Sequence, residues 1–153
     1  MLSLVSCASF DQSQSSEEKY IGKLTLFQKE KSFNYNFAIF PSENIFIIQV
    51  NKPLLGNVLN VKIDKFNGIS TSPAPDIQTV AFIKNLNLDD FFTFISNCLR
   101  SNISENSLIS FNQDKTNFDC EKRKEMATLI TIKFENIYIK GVISCLLYTS
   151  DAA

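Results

Sequence analysis

The sequence has no histidine and no tryptophan among its 153 residues, and only two methionines, four glycines and four prolines. Without histidine the chain lacks the usual general base and the commonest transition-metal ligand, which removes most hydrolase and zinc-site readings. Serine and cysteine nucleophiles exist, but no imidazole can activate them, so no catalytic residue, metal or cofactor is expected. A dominant charge is missing too: 15 Lys and Arg face 16 Asp and Glu, and neither sign forms a long block. A chain without a basic stripe lacks the main source of nucleic-acid affinity, so no nucleic-acid partner is expected. No segment approaches the roughly 18–20 apolar residues that span a bilayer.

What is present is ordinary for one globular domain: 44% apolar and 20% charged residues. Fourteen phenylalanines with no tryptophan make the aromatic content almost purely hydrophobic.

Both ends stand apart. Residues 145–153 spell Cys-Leu-Leu-Tyr-Thr-Ser-Asp-Ala-Ala, a contiguous match to the translated mosaic-end adapter of transposon-based sequencing libraries. Native sequence is therefore expected to stop near Ser144. At the other end Leu4-Val5-Ser6-Cys7 reads as a lipobox, an aliphatic residue and two small or modest ones before a cysteine that takes a diacylglyceryl group; a short cytosolic leader with an incidental cysteine is the alternative. Residues 1–7 would be the remnant of a lipoprotein signal. Six residues are too few for a charged and an apolar leader region, so the leader is expected to begin upstream. Residues 8–19, rich in Ser, Gln and Glu and without periodicity, read as a flexible tether. The folded domain is then 20–144. With Cys7 assigned to lipid and Cys145 to the adapter, Cys98 and Cys120 remain, and either a disulfide or two buried thiols fits them.

From Tyr20 the pattern is that of strands. Gly22, Leu24 and Leu26 alternate with Lys23 and Thr25, and Phe33, Tyr35, Phe37 and Ile39 alternate with polar or small residues. A turn at 41–44 leads to an apolar run at 45–50, with Phe46, Ile48 and Val50 on one face. The loop Asn51 to Gly56 follows, then a strand with Leu59, Val61 and Ile63 on one face. Residues 66–71 predict a further short strand. Pro73 and Pro75 break the sheet, and Asp76 caps a short predicted helix over 76–82. A second helix starts near Leu88, its Leu88, Phe91, Phe92, Ile95 and Leu99 at helical spacing and Asp89 and Asp90 in its first turn. Residues 101–125 are polar, with one candidate strand at 108–111. Two last strands, 128–134 and 137–143, are joined at Glu135-Asn136 as a tight hairpin. A meander, a helical interlude and more strands imply an antiparallel sheet with helices grouped on one face.

The stretch Tyr20-Ile21-Gly22-Lys23-Leu24-Thr25-Leu26, the aromatic-rich strand at 33–39, the apolar strand at 46–50 and the loop Pro53-Leu54-Leu55-Gly56 resemble the LolB family of lipoprotein receptors. The resemblance covers most of 20–144. It departs where Ile39 stands for the family's usual Trp, and where 101–127 is short and polar for a region that tends to hold more strand.

The resemblance implies a mainly β fold with helices, a half-closed antiparallel β-barrel lidded by α-helices (LolA/LolB-like). Its interior would be a hydrophobic cavity for acyl chains, with Leu24, Leu26, Phe37, Ile39, Phe46, Ile48, Leu59 and Val61 as candidates for the wall. Apolar pattern alone fits a solid core equally well. Pro53, Leu54, Leu55 and Gly56 would form a loop whose leucine enters the membrane, or else tucks back into the core. The implied protein is a monomer, lipid-anchored at Cys7 to the outer membrane and facing the periplasm. It would take acylated lipoproteins from a periplasmic LolA-like carrier and insert them into the inner leaflet of the outer membrane. Ala8, where Asp would signal inner-membrane retention in many such bacteria, agrees with that address. A LolA-like soluble carrier and a structural envelope lipoprotein with a filled barrel remain as alternatives.

Overall fold

Alternation of apolar and polar residues buries one face of each strand, and hairpin turns lay the strands side by side. The computed structural model describes residues 16–72, 86–100, 108–113, 115–123 and 128–150. Among these the chain runs as β1 (Ser16–Gln28), β2 (Lys31–Pro41), β3 (Ile45–Lys52), β4 (Gly56–Asp64), β5 (Gly68–Ser72), α1 (Leu88–Arg100), β6 (Leu108–Gln113), β7 (Thr116–Lys122), β8 (Thr128–Phe134) and β9 (Ile137–Ser150). The nine strands make one antiparallel sheet in the order β5-β4-β3-β2-β1-β9-β8-β7-β6. It is two meanders sewn together by the long β1–β9 pair, and β5 and β6 are its edges. The sheet does not close into a barrel.

The register aligns the inner face. Gly22 lies opposite Phe37, Leu24 opposite Tyr35 and Leu26 opposite Phe33 across β1–β2. Phe37 pairs Val50 and Ile39 pairs Ile48 across β2–β3, and Ile48 pairs Val61 across β3–β4. A register shift falls between Ile21 and Gly22. There Gly22 is obligatory, because a Cβ would collide with the Val142 carbonyl oxygen and lie 2.7 Å from the Phe37 ring.

Helix α1 packs against this face. Asn87 caps it, its Oδ1 accepting the Asp90 N–H at 3.2 Å, and Asp89 and Asp90 sit in the first turn. Phe91, Phe92, Phe94, Ile95, Cys98 and Leu99 are all buried. Phe91 meets Phe118 at 5.7 Å and Phe92 meets Phe46 at 4.7 Å between ring centroids. At its C-terminal end the Tyr20 hydroxyl donates to the Leu99 carbonyl at 3.4 Å, and Cys98 and Cys120 form a disulfide that ties α1 to β7.

Several expectations need correction. Phe66 is not in a strand. The Asp64 carboxylate accepts the N–H groups of Phe66 at 2.9 Å and Asn67 at 3.2 Å, which turns the chain there and delays β5 to Gly68. The polar stretch after α1 holds two strands and not one. In β7, Thr116, Phe118 and Cys120 are buried while Asn117 is exposed and Asp119 and Glu121 are half-buried, so only every second residue reports the core. Strand β1 begins at Ser16, inside the segment read as a tether, and β9 pairs on to Ser150, through part of the adapter-like segment. The helix expected at 76–82 lies outside the described residues, as does Cys7.

Candidate functional site

Between the concave face of the sheet and α1 lies a cavity of about 200 Å³. Its floor is Leu24 of β1, Phe37 and Ile39 of β2, Ile48 and Val50 of β3, and Leu59, Val61 and Ile63 of β4. Phe118, Ile130, Ile132, Ile139 and Gly141 continue the wall through β7, β8 and β9. Phe91, Phe94 and Ile95 of α1, with Leu86 before it, form the roof. Not one lining side chain is polar. A space of about 10–15 Å³ suffices for one water, yet apolar cavities of about 150 Å³ stay dry and take small hydrocarbons, because water there finds no hydrogen-bond partner.

Of the eight residues singled out for the wall, Leu24, Phe37, Ile39, Ile48, Leu59 and Val61 line this cavity. Phe46 does not: it is buried at 2% exposure against Phe92 and belongs to the packed core. Leu26 lies on the same sheet face but nearer the β1–β2 turn, outside the wall, and is half-buried. Helical spacing marked Phe91 and Ile95 as inward-facing, and strand alternation marked Val50 and Ile63. Nothing in the pattern separated cavity lining from core. Phe118 went unseen because its strand was not recognised.

The two ends of the inner face differ. Toward the C-terminus of α1, Tyr20, Cys98, Leu99 and Cys120 are all buried. Toward the β1–β2 and β8–β9 turns, Leu26, Phe33, Tyr35 and Phe134 remain half-buried, so apolar surface continues past the cavity at that end.

The β3–β4 hairpin turns at this same end. The Leu55 N–H donates to the Lys52 carbonyl at 3.0 Å, which places Pro53 and Leu54 at the two centres of a β-turn. Pro53 supplies the fixed negative φ of the first centre, and Leu54 has φ +72° at the second. That is a type II turn, whose second centre normally carries Gly because a Cβ is strained there. Gly56, the first residue of β4, follows the turn with φ +80°. Leu54 is fully exposed and Leu55 is 71% exposed. The tip therefore combines two apolar side chains in solvent with a backbone conformation unfavourable to leucine, a pairing of costs that points to function.

Asp64 has a clear titration shift. Its carboxyl is held below the ordinary 3.8 by hydrogen bonds from the Asn67 side chain and the Phe66 N–H, and it serves the turn. Among the described residues no cluster of His, Cys, Asp or Glu could hold a metal, and no helix is long and apolar enough to cross a membrane. No protein-family model matches the chain, and no curated protein matches it in sequence.

Proposed function

We propose that this protein is an outer-membrane lipoprotein receptor of the LolB kind. It accepts acylated lipoproteins from a periplasmic carrier into a hydrophobic cavity and inserts them into the inner leaflet of the outer membrane. The observation that carries the reading is the all-apolar cavity between the curved sheet and α1. Such a site can hold acyl chains by buried area alone, at about 0.8 kcal/mol per methylene, and needs no catalytic residue.

In this reading the open sheet is the half-closed barrel and α1 its lid. The cavity is smaller than the roughly 300–1,000 Å³ of ordinary ligand pockets, so with the lid down it takes only part of a chain. The disulfide fixes the lid at one end. Its other end rests on Leu86 and Leu88 packing and on the exposed bond from the Asn87 N–H to Gln113 Oε1. Lifting there would lengthen the cavity toward the half-buried Leu26, Phe33 and Tyr35, and so toward the hairpin tip. A disulfide forms and persists in oxidising compartments, which agrees with export to the periplasm and with a lipobox at Cys7.

Leu54 and Leu55 favour a receptor over a soluble carrier. Fully buried in lipid, the pair would contribute roughly 3–5 kcal/mol to membrane contact. The test supplies a carrier-bound acylated lipoprotein, liposomes and this protein, and follows incorporation of the lipoprotein. Leu54→Glu with Leu55→Glu is expected to abolish the gain in incorporation. Unchanged incorporation would remove the tip from the mechanism. Metabolic labelling with a fatty acid decides between an anchored receptor, labelled at Cys7, and a soluble carrier, unlabelled.

A further inference from the structure

The convex face of the sheet carries a second feature, an open groove of about 780 Å³ that ends against Pro53 of the hairpin tip. Its sides are Lys23, Thr25 and Phe27 of β1, Asn34 and Asn36 of β2, and Lys140 and Val142 of β9, and Leu24 and Tyr35, which the register puts on the inner face, also border it. Lys23 lies opposite Val142 and Thr25 opposite Lys140. The two lysines are therefore diagonal neighbours on adjacent strands, with Cα atoms roughly 7–8 Å apart. Both are exposed, and neither makes an ion pair among the described residues.

The Thr25 hydroxyl donates to Asn34 Oδ1 at 2.8 Å, and the exposed Asn34 keeps its Nδ2 hydrogens as donors. With two ammonium groups beside it, the groove offers hydrogen-bond donors and positive charge. No acidic residue stands on the outward positions of β1, β2 and β9 between Lys19 and Val142. Phe27 is 40% exposed and packs against Tyr138 at 5.6 Å, so an apolar border flanks the donors.

We infer that this groove seats the phosphate of an anionic phospholipid head group while Leu54 and Leu55 enter the acyl layer beside it. Charge complementarity selects the ligand, and the shared Pro53 places the groove next to the apolar tip. The inference rests on the reading that the tip meets a bilayer, and it adds a lipid preference to that contact.

The test is co-sedimentation of the full chain with vesicles of phosphatidylcholine alone and of an equal mixture with phosphatidylglycerol. Each lysine near an anionic surface contributes about a five-fold gain in partition. Lys23→Gln with Lys140→Gln should therefore lower partition on the mixed vesicles roughly 25-fold and leave phosphatidylcholine partition unchanged. The comparison variant, Lys62→Gln with Lys65→Gln, removes equal charge from β4 and the β4–β5 turn and should lower it less than five-fold. Equal losses in the two double variants would overturn the groove and leave only diffuse charge. Leu54→Asn should weaken binding to both kinds of vesicle; unchanged binding would overturn the tip and the groove together. Binding of a fluorescent acyl probe to the cavity, read on the same samples, should be unaffected by the groove variant. Failure of the acyl-binding reading is thereby visible separately, as a wild-type protein that binds no probe.

Discussion

Replacing Gly141 with alanine should stabilise the protein, and the same replacement at Gly22 should destabilise it, although both face the Phe37 ring. A Cβ at Gly141 would lie 3.5 Å from Phe37 and 3.7 Å from Leu24, ordinary contact distances at the edge of the cavity. The new methyl group buries apolar area at about 0.8 kcal/mol, and restriction of the unfolded chain adds about 0.4–1 kcal/mol. The sum of about 1–2 kcal/mol raises the melting temperature by roughly 2–8 °C for a chain of this size. At Gly22 the added carbon meets the backbone carbonyl of Val142, which cannot rotate away, and lies 2.7 Å from Phe37. Overpacking of that kind costs about 1–3 kcal/mol and outweighs the entropic gain. Urea denaturation of both variants, with equal m-values required, reads the difference. A destabilised Gly141→Ala would mean that the wall is already filled there, and the argument for space under α1 would fail.

Three more outcomes follow from the geometry. Reducing the Cys98–Cys120 bond opens a loop with a sequence separation of 22; the chain-entropy relation then gives a loss of about 3.4 kcal/mol at 25 °C, read as a lower urea midpoint in reductant, and an unchanged midpoint would contradict it. Leu54→Gly should leave stability equal or raise it by up to about 1 kcal/mol, because relief of the left-handed strain offsets the entropy of glycine; a clear loss of stability would show that Leu54 packs against the protein. Asp64→Asn should destabilise at neutral pH. The folded carboxyl titrates below 3.8, so its contribution is present above that value and disappears as pH falls through the depressed one. Wild type and variant should therefore converge in acid melts, and a gap that persists at low pH would contradict the assignment.

The sheet was readable in the sequence where strands carry aromatic or β-branched residues on one face and polar ones on the other, as at Phe33 to Ile39. The helix was readable because Leu88, Phe91, Phe92, Ile95 and Leu99 keep one stripe. Strand β7 was hidden. Its outward Asn117, Asp119 and Glu121 dominate the composition, and its inward residues are a threonine, one phenylalanine and a cysteine. Phe66 misled for the opposite reason: an aromatic residue beside a strand-like run looked like part of it, but the Asp64 carboxylate commands that turn. Whether an inward residue lines space or fills it depends on the distance to the opposing layer. Phe46 meets Phe92 and is core, while Ile48, two residues on and facing the same way, borders the cavity. Linear pattern carries no information on that distance. The pairing of Cys98 with Cys120 was open for the same reason, since it depends on where α1 lies over β7.

The most direct measurement of the central claim is titration of the purified protein with a fluorescent long-chain fatty acid, alone and in competition with palmitate. The account predicts saturable binding at one site, displaced by palmitate and weakened when Val61→Phe narrows the cavity from β4. A signal that never saturates, or one indifferent to Val61→Phe in a folded variant, would mean that acyl chains do not enter between the sheet and α1.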